Sequence, residues 1–350
     1  MDKKKKKVII GMSGGIDSSV SAALLKQAGF RVLGAFMKFW KQGQSLNRCC
    51  SIEAEKRARK VAKILNIPFY IFNFEREFKK RIVDRFIEDY RKGITPNPCV
   101  ICNEEIKFGL FLKKARELNA DFIATGHYAG LRKKGSRILL IKGKDKNKDQ
   151  SYFLYRLKES DLKHVLFPLS SYKKEEVYKL AKKFKLPVLN IKESQEICFI
   201  PNTINEFLPL YLKDKKGNII DIKGGVLGKH SGLYFYTIGQ RKGINLSNGP
   251  YFVLRKDMKN NNLIVTKDES SLLSNDLSAT DIHWINEPPV LNEDISAKTR
   301  YREKESKAKI IKINNKELKA EFKKQKRALT PGQSLVIYKG DVILGGGVIK

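Results

Sequence analysis

Two groups of residues in this 350-residue chain have the types and spacing to do chemistry. The first is Ile10-Gly11-Met12-Ser13-Gly14-Gly15-Ile16-Asp17-Ser18-Ser19, set between a short apolar run and an amphipathic segment. A strand, a glycine turn and a helix start in that order make a phosphate cradle: the glycines allow close backbone approach, and the unpaired amides and helix dipole favour negative charge. Ser13, Ser18 and Ser19 add hydroxyl donors, and Asp17 is placed to hold Mg²⁺ among the phosphates. No lysine follows the glycines and the pattern is not GxGxxG, so neither common nucleotide fingerprint applies. The second group is Cys99-Val100-Ile101-Cys102, which follows the rigid Thr95-Pro96-Asn97-Pro98 turn, together with Cys198. At a helix start a CxxC is expected to have lowered thiol pKa values and to serve redox, metal or nucleophilic chemistry.

Composition narrows the setting. Five cysteines, at 49, 50, 99, 102 and 198, are too few and too unevenly spaced for a disulfide framework. Cys49 and Cys50 read as buried, inert thiols, or one of them as a fourth ligand in a zinc site. No apolar run approaches a membrane span, and Lys3–Lys7 precede too short an apolar stretch for a signal peptide, so no membrane association and a cytoplasmic location are expected. The net charge of +33 would draw a polyanion, nucleic acid first. Yet 53 of the 70 basic residues are lysine, a pattern that codon bias could also produce.

The elements that must position these residues alternate over the first 200 positions. Residues 8–12, 31–39, 68–73 and 121–125 read as strands. Residues 17–28, a segment beginning at Ser51, 75–91, a stretch through Phe108, Leu112 and Ala115, and one bearing Val177, Leu180, Ala181 and Phe184 read as helices. Thr95–Pro98 must interrupt them. This rhythm predicts an α/β fold, a doubly wound parallel sheet. Beyond residue 205 short strands such as 217–225, 234–239 and 251–256 suggest a small mixed or β domain. Strands at 307–314, 317–322 and 334–338 suit a C-terminal β-barrel. The expected division is 1–204, 205–282 and 283–350.

The ordered set of motifs resembles one family. SGGIDSS, Cys49-Cys50-Ser51, Gly93 to Asn103, Thr125-Gly126-His127-Tyr128, Lys148 to Leu154, Ser194 to Phe199 and Gly239-Gln240-Arg241-Lys242-Gly243 occur in the order and spacing of the tRNA-specific 2-thiouridylases, often called MnmA, within the PP-loop ATP pyrophosphatase group. The likeness runs from Val8 to Ser334. It implies an enzyme, a sulfurtransferase, that uses ATP and Mg²⁺ to adenylate the C2 carbonyl of the wobble uridine and then replaces the oxygen with sulfur. AMP and pyrophosphate leave. By the family pattern Gly11, Met12, Ser13, Gly14, Gly15, Ile16, Asp17, Ser18, Met37 and Gly126 bind ATP. Cys102 is the nucleophile and Cys198 the persulfide carrier, able to form a disulfide with Cys102. Asn97, Pro98 and Cys99 lie against the target base, and His127, Lys148, Asp149, Gln150, Arg300, Tyr301 and Gln333 meet tRNA. The first 204 residues would carry adenylation and sulfur transfer, and 205–282 would contact tRNA. Partners implied are tRNAs for Lys, Glu and Gln and a sulfur-donor or relay protein.

Two departures stand out. Many relatives have Asp where this chain has Cys99, so Cys99, Cys102 and Cys198 could instead hold a 4Fe-4S cluster that delivers hydrosulfide. Ile244-Asn245-Leu246-Ser247-Asn248 lacks the glycine-rich stretch usual there. The rivals are another PP-loop adenylator, which would not need the thiols, and a nucleotide-sensing RNA-binding protein, which would release no pyrophosphate.

Overall fold

A computed structural model describes residues 5–40, 51–189, 191, 197–314 and 316–350. Cys49, Cys50, Ser194, Gln195 and Glu196 lie outside the described residues. The first strand, β1 (Lys7–Gly11), is an unbroken β-branched run and is buried on both faces, as a central parallel strand must be. Helix α1 (Ile16–Gln27) follows, then β2 (Arg31–Lys38), α2 (Ile52–Ile64), β3 (Phe69–Asn73), α3 (Glu75–Phe78), α4 (Asp84–Arg91), α5 (Pro98–Ile101), α6 (Phe111–Glu117) and β4 (Phe122–Ala124). A hairpin of β5 (Ala129–Lys134) and β6 (Arg137–Lys142) precedes α7 (Glu159–Leu162), β7 (Val165–Leu166) and α8 (Lys174–Lys183). The parallel sheet has the order β3-β2-β1-β4-β7. The chain winds outward from β1 through β2 and β3, then crosses to the other side of β1 to lay down β4. That reversal opens a crevice at the carboxyl ends of β1 and β4, the usual ligand position in such sheets.

The expected helix over 75–91 is continuous but carries a π turn at Lys79–Val83 between α3 and α4. A longer π segment, Cys102–Leu110, joins α5 to α6. Wide turns of this kind rotate side chains by about one position and are frequent at functional sites.

The next part comprises α9 (Ile204–Phe207) and a four-stranded sheet of β8 (Gly217–Ile220), β9 (Val226–His230), β10 (Phe252–Asp257) and β11 (Asn262–Thr266), in the order β10-β11-β8-β9. The strand expected over 217–225 stops at Ile220, because the Asp221 carboxylate collects the amides of Lys223 and Gly225 into a turn. The strand expected over 234–239 is a correction: residues Leu233–Phe235 form a 3₁₀ turn, and Thr237 to Gly239 lead into another turn held by Gln240.

The remaining strands are β12 (Leu273–Trp284), β13 (Asp294–Lys298), β14 (Ser306–Ile313), β15 (Leu318–Arg327), β16 (Ser334–Lys339) and β17 (Val342–Ile349). Their order β12-β15-β14-β13-β16-β17, with β17 pairing back to β12, closes a six-stranded antiparallel barrel. The β5–β6 hairpin from the first part is added to this sheet, with Ile141 opposite Val342. One hydrophobic core therefore runs from Phe78, Phe86 and Phe111 through Tyr152 to Val336, Tyr338 and Ile343 of the barrel.

The middle sheet is fastened to the first part by Lys256 of β10, which is half-buried and donates to the Gly93 carbonyl at 3.1 Å. Burial pushes its pKa down from 10.5 to about 8. Between those values the unfolded chain holds a proton that the folded chain has released, so stability contributed by this site rises with pH over about 8 to 10.5. We expect the urea midpoint of the wild type to gain on that of Lys256→Met as pH is raised from 7.5 to 10; a constant gap would contradict this burial.

Candidate active site

The glycine turn sits at the mouth of the β1/β4 crevice. Gly15 caps α1 with extended backbone and no side-chain hydrogen bond, which leaves the first amides of the helix for a ligand. Ser18 and Ser19 direct their hydroxyls to the Gly15 carbonyl, at 3.2 and 2.7 Å, and Ser13 approaches Ser18 at 3.3 Å between hydroxyl oxygens. Gly14 has φ +74°, and a Cβ there would lie 2.3 Å from the Ala54 carbonyl of α2. Glycine is required both for the angle and for the contact. Arg57 of α2 donates to the Gly14 carbonyl at 3.3 Å. On the other wall Gly126 presses against the start of α1, where a Cβ would meet the Ser18 nitrogen at 2.8 Å. Met37 lies over Gly11, whose Cβ would sit 2.9 Å from the Met37 methyl. All ten residues expected at the nucleotide thus gather around one crevice.

Asp17 does not point into open space. Its Oδ1 accepts from Tyr128 at 2.7 Å, and Lys174 Nζ lies 2.7 and 2.9 Å from its two oxygens. Sequence reasoning missed Tyr128 and Lys174 as site residues. The tyrosine was legible only as part of the Thr125-Gly126-His127-Tyr128 run, and nothing in the sequence singles out one lysine among 53. Asp17 is a single carboxylate suited to Mg²⁺, which commonly binds through one or two carboxylates, substrate phosphates and water.

Among the described residues no disulfide joins Cys99, Cys102 and Cys198, and the three lie near one another: the charge of Cys198 raises the pKa of both others. The expected lowering of thiol pKa is a correction. Cys99 and Cys102 lie in the first turns of a helix that continues through the π segment into α6, so its dipole favours thiolate, but burial outweighs it. Burial dominates and pushes Cys99 up to about 11 and Cys102 up to about 12, opposed only by the charge of Lys107. Lys107 lies on the same π segment as Cys102, five residues on, another contributor that the sequence reading passed over. Among the described residues no three His, Cys, Asp or Glu side chains converge to hold a metal ion.

The π segment links the two chemistries. After Lys107 comes Phe108, whose ring packs 5.8 Å from that of His127. His127 is buried, bonded through Nδ1 to Thr125 at 2.8 Å, and held neutral by burial and by Lys107. Thr125 and Gly126 form the far wall of the crevice, so the thiols and the glycine turn share one connected set of side chains.

Other expected contacts are placed differently from a bare surface. Asp149 is buried, and its carboxylate accepts from the amides of Gly143 and Ser151 and from the Ser151 hydroxyl. Gln150 accepts from the Tyr128 amide, and the Lys148 amide donates to Asp145. Arg300 donates to Ala328 and Thr330, while Tyr301 stacks on Phe153, with ring centroids 4.4 Å apart. Gln333 donates to the carbonyls of Thr95 and Pro96 at 2.9 and 3.2 Å. It therefore braces the loop that carries Asn97, Pro98 and Cys99. Asn97 and Pro98 line a cavity of about 380 Å³ whose rim includes Arg81, Arg85 and Lys350. Asn245 and Asn248 take left-handed angles, φ +53° and +59°, so asparagine serves there in place of the missing glycines.

Comparison with known proteins follows the same outline. Residues 6–202 match the model described as tRNA methyl transferase HUP domain, 205–267 the tRNA methyl transferase PRC-barrel domain, and 274–349 the aminomethyltransferase beta-barrel domain. The tRNA-specific 2-thiouridylase MnmA of Caldicellulosiruptor saccharolyticus is 46% identical over 356 residues, 99% of each chain. That of Buchnera aphidicola subsp. Acyrthosiphon pisum is 45% identical over 360 residues, 99% of this chain and 98% of its own. The chain belongs to the tRNA-specific 2-thiouridylase family. The domain descriptions carry methyltransferase wording, whereas these full-length relatives are named for thiolation. A solved 4-thiouridine synthetase–RNA complex with bound ATP aligns at a TM-score of 0.36 and 22% identity, over 59% of this chain and 50% of that one, too slight a likeness to build on.

The shielding of the 2-thiouridylase thiols has a direct readout. In intact protein at pH 7, iodoacetamide should label Cys102 on the order of a thousandfold more slowly than in urea, with the rate rising about tenfold per pH unit. Lys107→Met should slow it further. Labelling of Cys102 at the rate of an ordinary exposed thiol would contradict the burial.

Proposed function

We propose that this protein thiolates the wobble uridine of tRNA at C2, releasing AMP and pyrophosphate. The observation that carries this reading is the shared wall between the glycine turn and the thiols, through His127, Phe108 and the π segment. The C2 carbonyl of uracil is amide-like and a poor electrophile, so its oxygen must first become part of a good leaving group. Attack of that oxygen on the α-phosphorus of ATP forms a P–O bond and expels pyrophosphate, which the amides of Gly14 to Ser18 receive. Mg²⁺ held by Asp17 would supply charge neutralisation on the phosphates.

In the second stage a persulfide on Cys198 attacks C2 through its outer sulfur, the C–O bond breaks and AMP departs. Cys102 thiolate then attacks the Cys198 sulfur, which frees 2-thiouridine and leaves a Cys102–Cys198 disulfide. The balance requires a persulfide-forming sulfur donor protein and a dithiol reductant for each turnover. Lys107 lowers the cost of the Cys102 thiolate in a setting where burial raises it. The 380 Å³ cavity at Asn97 and Pro98 has room for a base turned out of its stack, with Arg81, Arg85 and Lys350 near the backbone phosphates.

The net charge of +33 supports a polyanionic substrate, and we propose wobble-uridine tRNAs such as those for Lys, Glu and Gln. We place the protein in the cytoplasm with them; among the described residues no helix is long and apolar enough to cross a membrane. The functional division is into 1–204, 205–272 and 273–350, the second boundary moved back from 282 because β12 (Leu273–Trp284) is a barrel strand, with the middle part contacting tRNA.

Nucleoside mass spectrometry of unmodified tRNA, incubated without oxygen with the protein, ATP, Mg²⁺ and a persulfide donor, should show ATP-dependent 2-thiouridine. Cys102→Ser and Cys198→Ser should abolish the product while ATP binding persists, and wild-type thiolation in either would sink the sulfur route. Asp17→Ala should lower pyrophosphate release about a hundredfold. Iron and acid-labile sulfide in anaerobically purified protein, with no activity from the persulfide donor, would favour the cluster route instead.

A further inference from the structure

The nucleotide crevice contains a cation that the glycine motif does not encode. Lys174 opens α8, and its side chain, only 10% exposed, crosses to the PP-loop and pairs with both oxygens of Asp17 at 2.7 and 2.9 Å. The base of the lysine is fixed, since its amide donates to Asp145 at 2.9 Å and α8 packs on α1. Its ammonium also lies 5.9 and 5.4 Å from the ring centroids of Tyr128 and Tyr178, which form a partly apolar sleeve around the stem. Sequestering a lysine this fully costs desolvation energy, which a surface ion pair could not repay. The location explains the investment better than stability does. Asp17 occupies the first turn of α1, next to amides that have no side-chain cap. A triphosphate arriving there meets a carboxylate of like charge, and a cation already stationed on that carboxylate removes the repulsion and has phosphate oxygens within the sweep of its four-carbon stem.

We propose that Lys174 is a phosphate-binding residue, pairing with Asp17 in the empty site and shifting to the β- and γ-phosphates when ATP binds. It then stays with pyrophosphate as the leaving group separates, adding stabilisation where charge accumulates. This rests on the reading of Gly11–Ser18 as the nucleotide turn.

Calorimetric titration of the full chain with ATP, pyrophosphate and AMP tests it. Lys174→Met should weaken ATP and pyrophosphate at least tenfold and leave AMP within twofold, while Lys174→Arg retains most of the affinity. If Lys174 acted only by holding Asp17, the Lys174→Met loss would vanish in an Asp17→Asn background; persistence of the loss there supports direct phosphate contact. Unchanged pyrophosphate affinity in Lys174→Met, or an equal loss for AMP, would overturn the assignment. A wild-type protein that bound neither ATP nor pyrophosphate would instead overturn the reading of the glycine turn, an outcome distinguishable from failure of the lysine alone.

Discussion

The backbone of Thr95 and Pro96 is the point on which the arrangement depends. Two prolines within three residues of Thr95-Pro96-Asn97-Pro98 remove donors and restrict their neighbours to extended angles, so this loop cannot hold itself by the regular bonding of a helix or sheet. Its carbonyls are taken instead by the Gln333 amide, and the Thr95 amide donates to Pro331. Gly332, at φ +91°, allows this approach, since a Cβ there would meet Ile94 at 2.2 Å. From the other side the Gly93 carbonyl is held by Lys256, with Met258 packed where a Gly93 side chain would go. The segment that presents Asn97 and the first thiol is thus fixed by residues from all three parts of the chain.

The same constraint accounts for the shared core. A barrel that merely followed the α/β part could sit beside it with a polar boundary. Here the β5–β6 hairpin is built into the barrel sheet, Tyr152 reaches the Ser334 carbonyl at 3.0 Å, and Val336, Tyr338 and Ile343 join aromatic residues of the first part. Burial of large apolar side chains across the join opposes independent motion of the two parts, and this keeps the thiols in register with the nucleotide crevice.

Much of this was legible in the sequence where local rules decide. The Val8-Ile9-Ile10 run, the Gly14-Gly15 turn and the spacing of Ala54, Ala58, Val61 and Ala62 each specify an element without long-range help, and they frame the nucleotide site. The π segment at Cys102–Leu110 was not legible, because Phe108, Leu112 and Ala115 fall at the spacing of an ordinary helix. Nor could the partner of β6 be read, since Ile141 and Val342 meet only after the whole barrel forms. Tyr234 to Gly239 read as a short strand bounded by glycine, yet Leu233–Phe235 form a 3₁₀ turn and Gly239, at φ +81°, turns the chain. The thiol chemistry failed to be read for a physical reason of its own: a helix start argues for thiolate, and only burial, invisible in sequence, reverses the sign.

The closing of the barrel also imposes an order on biosynthesis. Ile349 of β17 exchanges backbone bonds with Gly332 and Gln333, the residues that brace Thr95 and Pro96. A ribosome delivers β17 long after the thiol-bearing helix has emerged, so a nascent chain holds the α/β sheet without the brace. Until translation has passed β17, the loop that carries Asn97 and Cys99 lacks the Gln333 brace on Thr95 and Pro96. Truncated products would carry reactive cysteines without the means to direct them at tRNA.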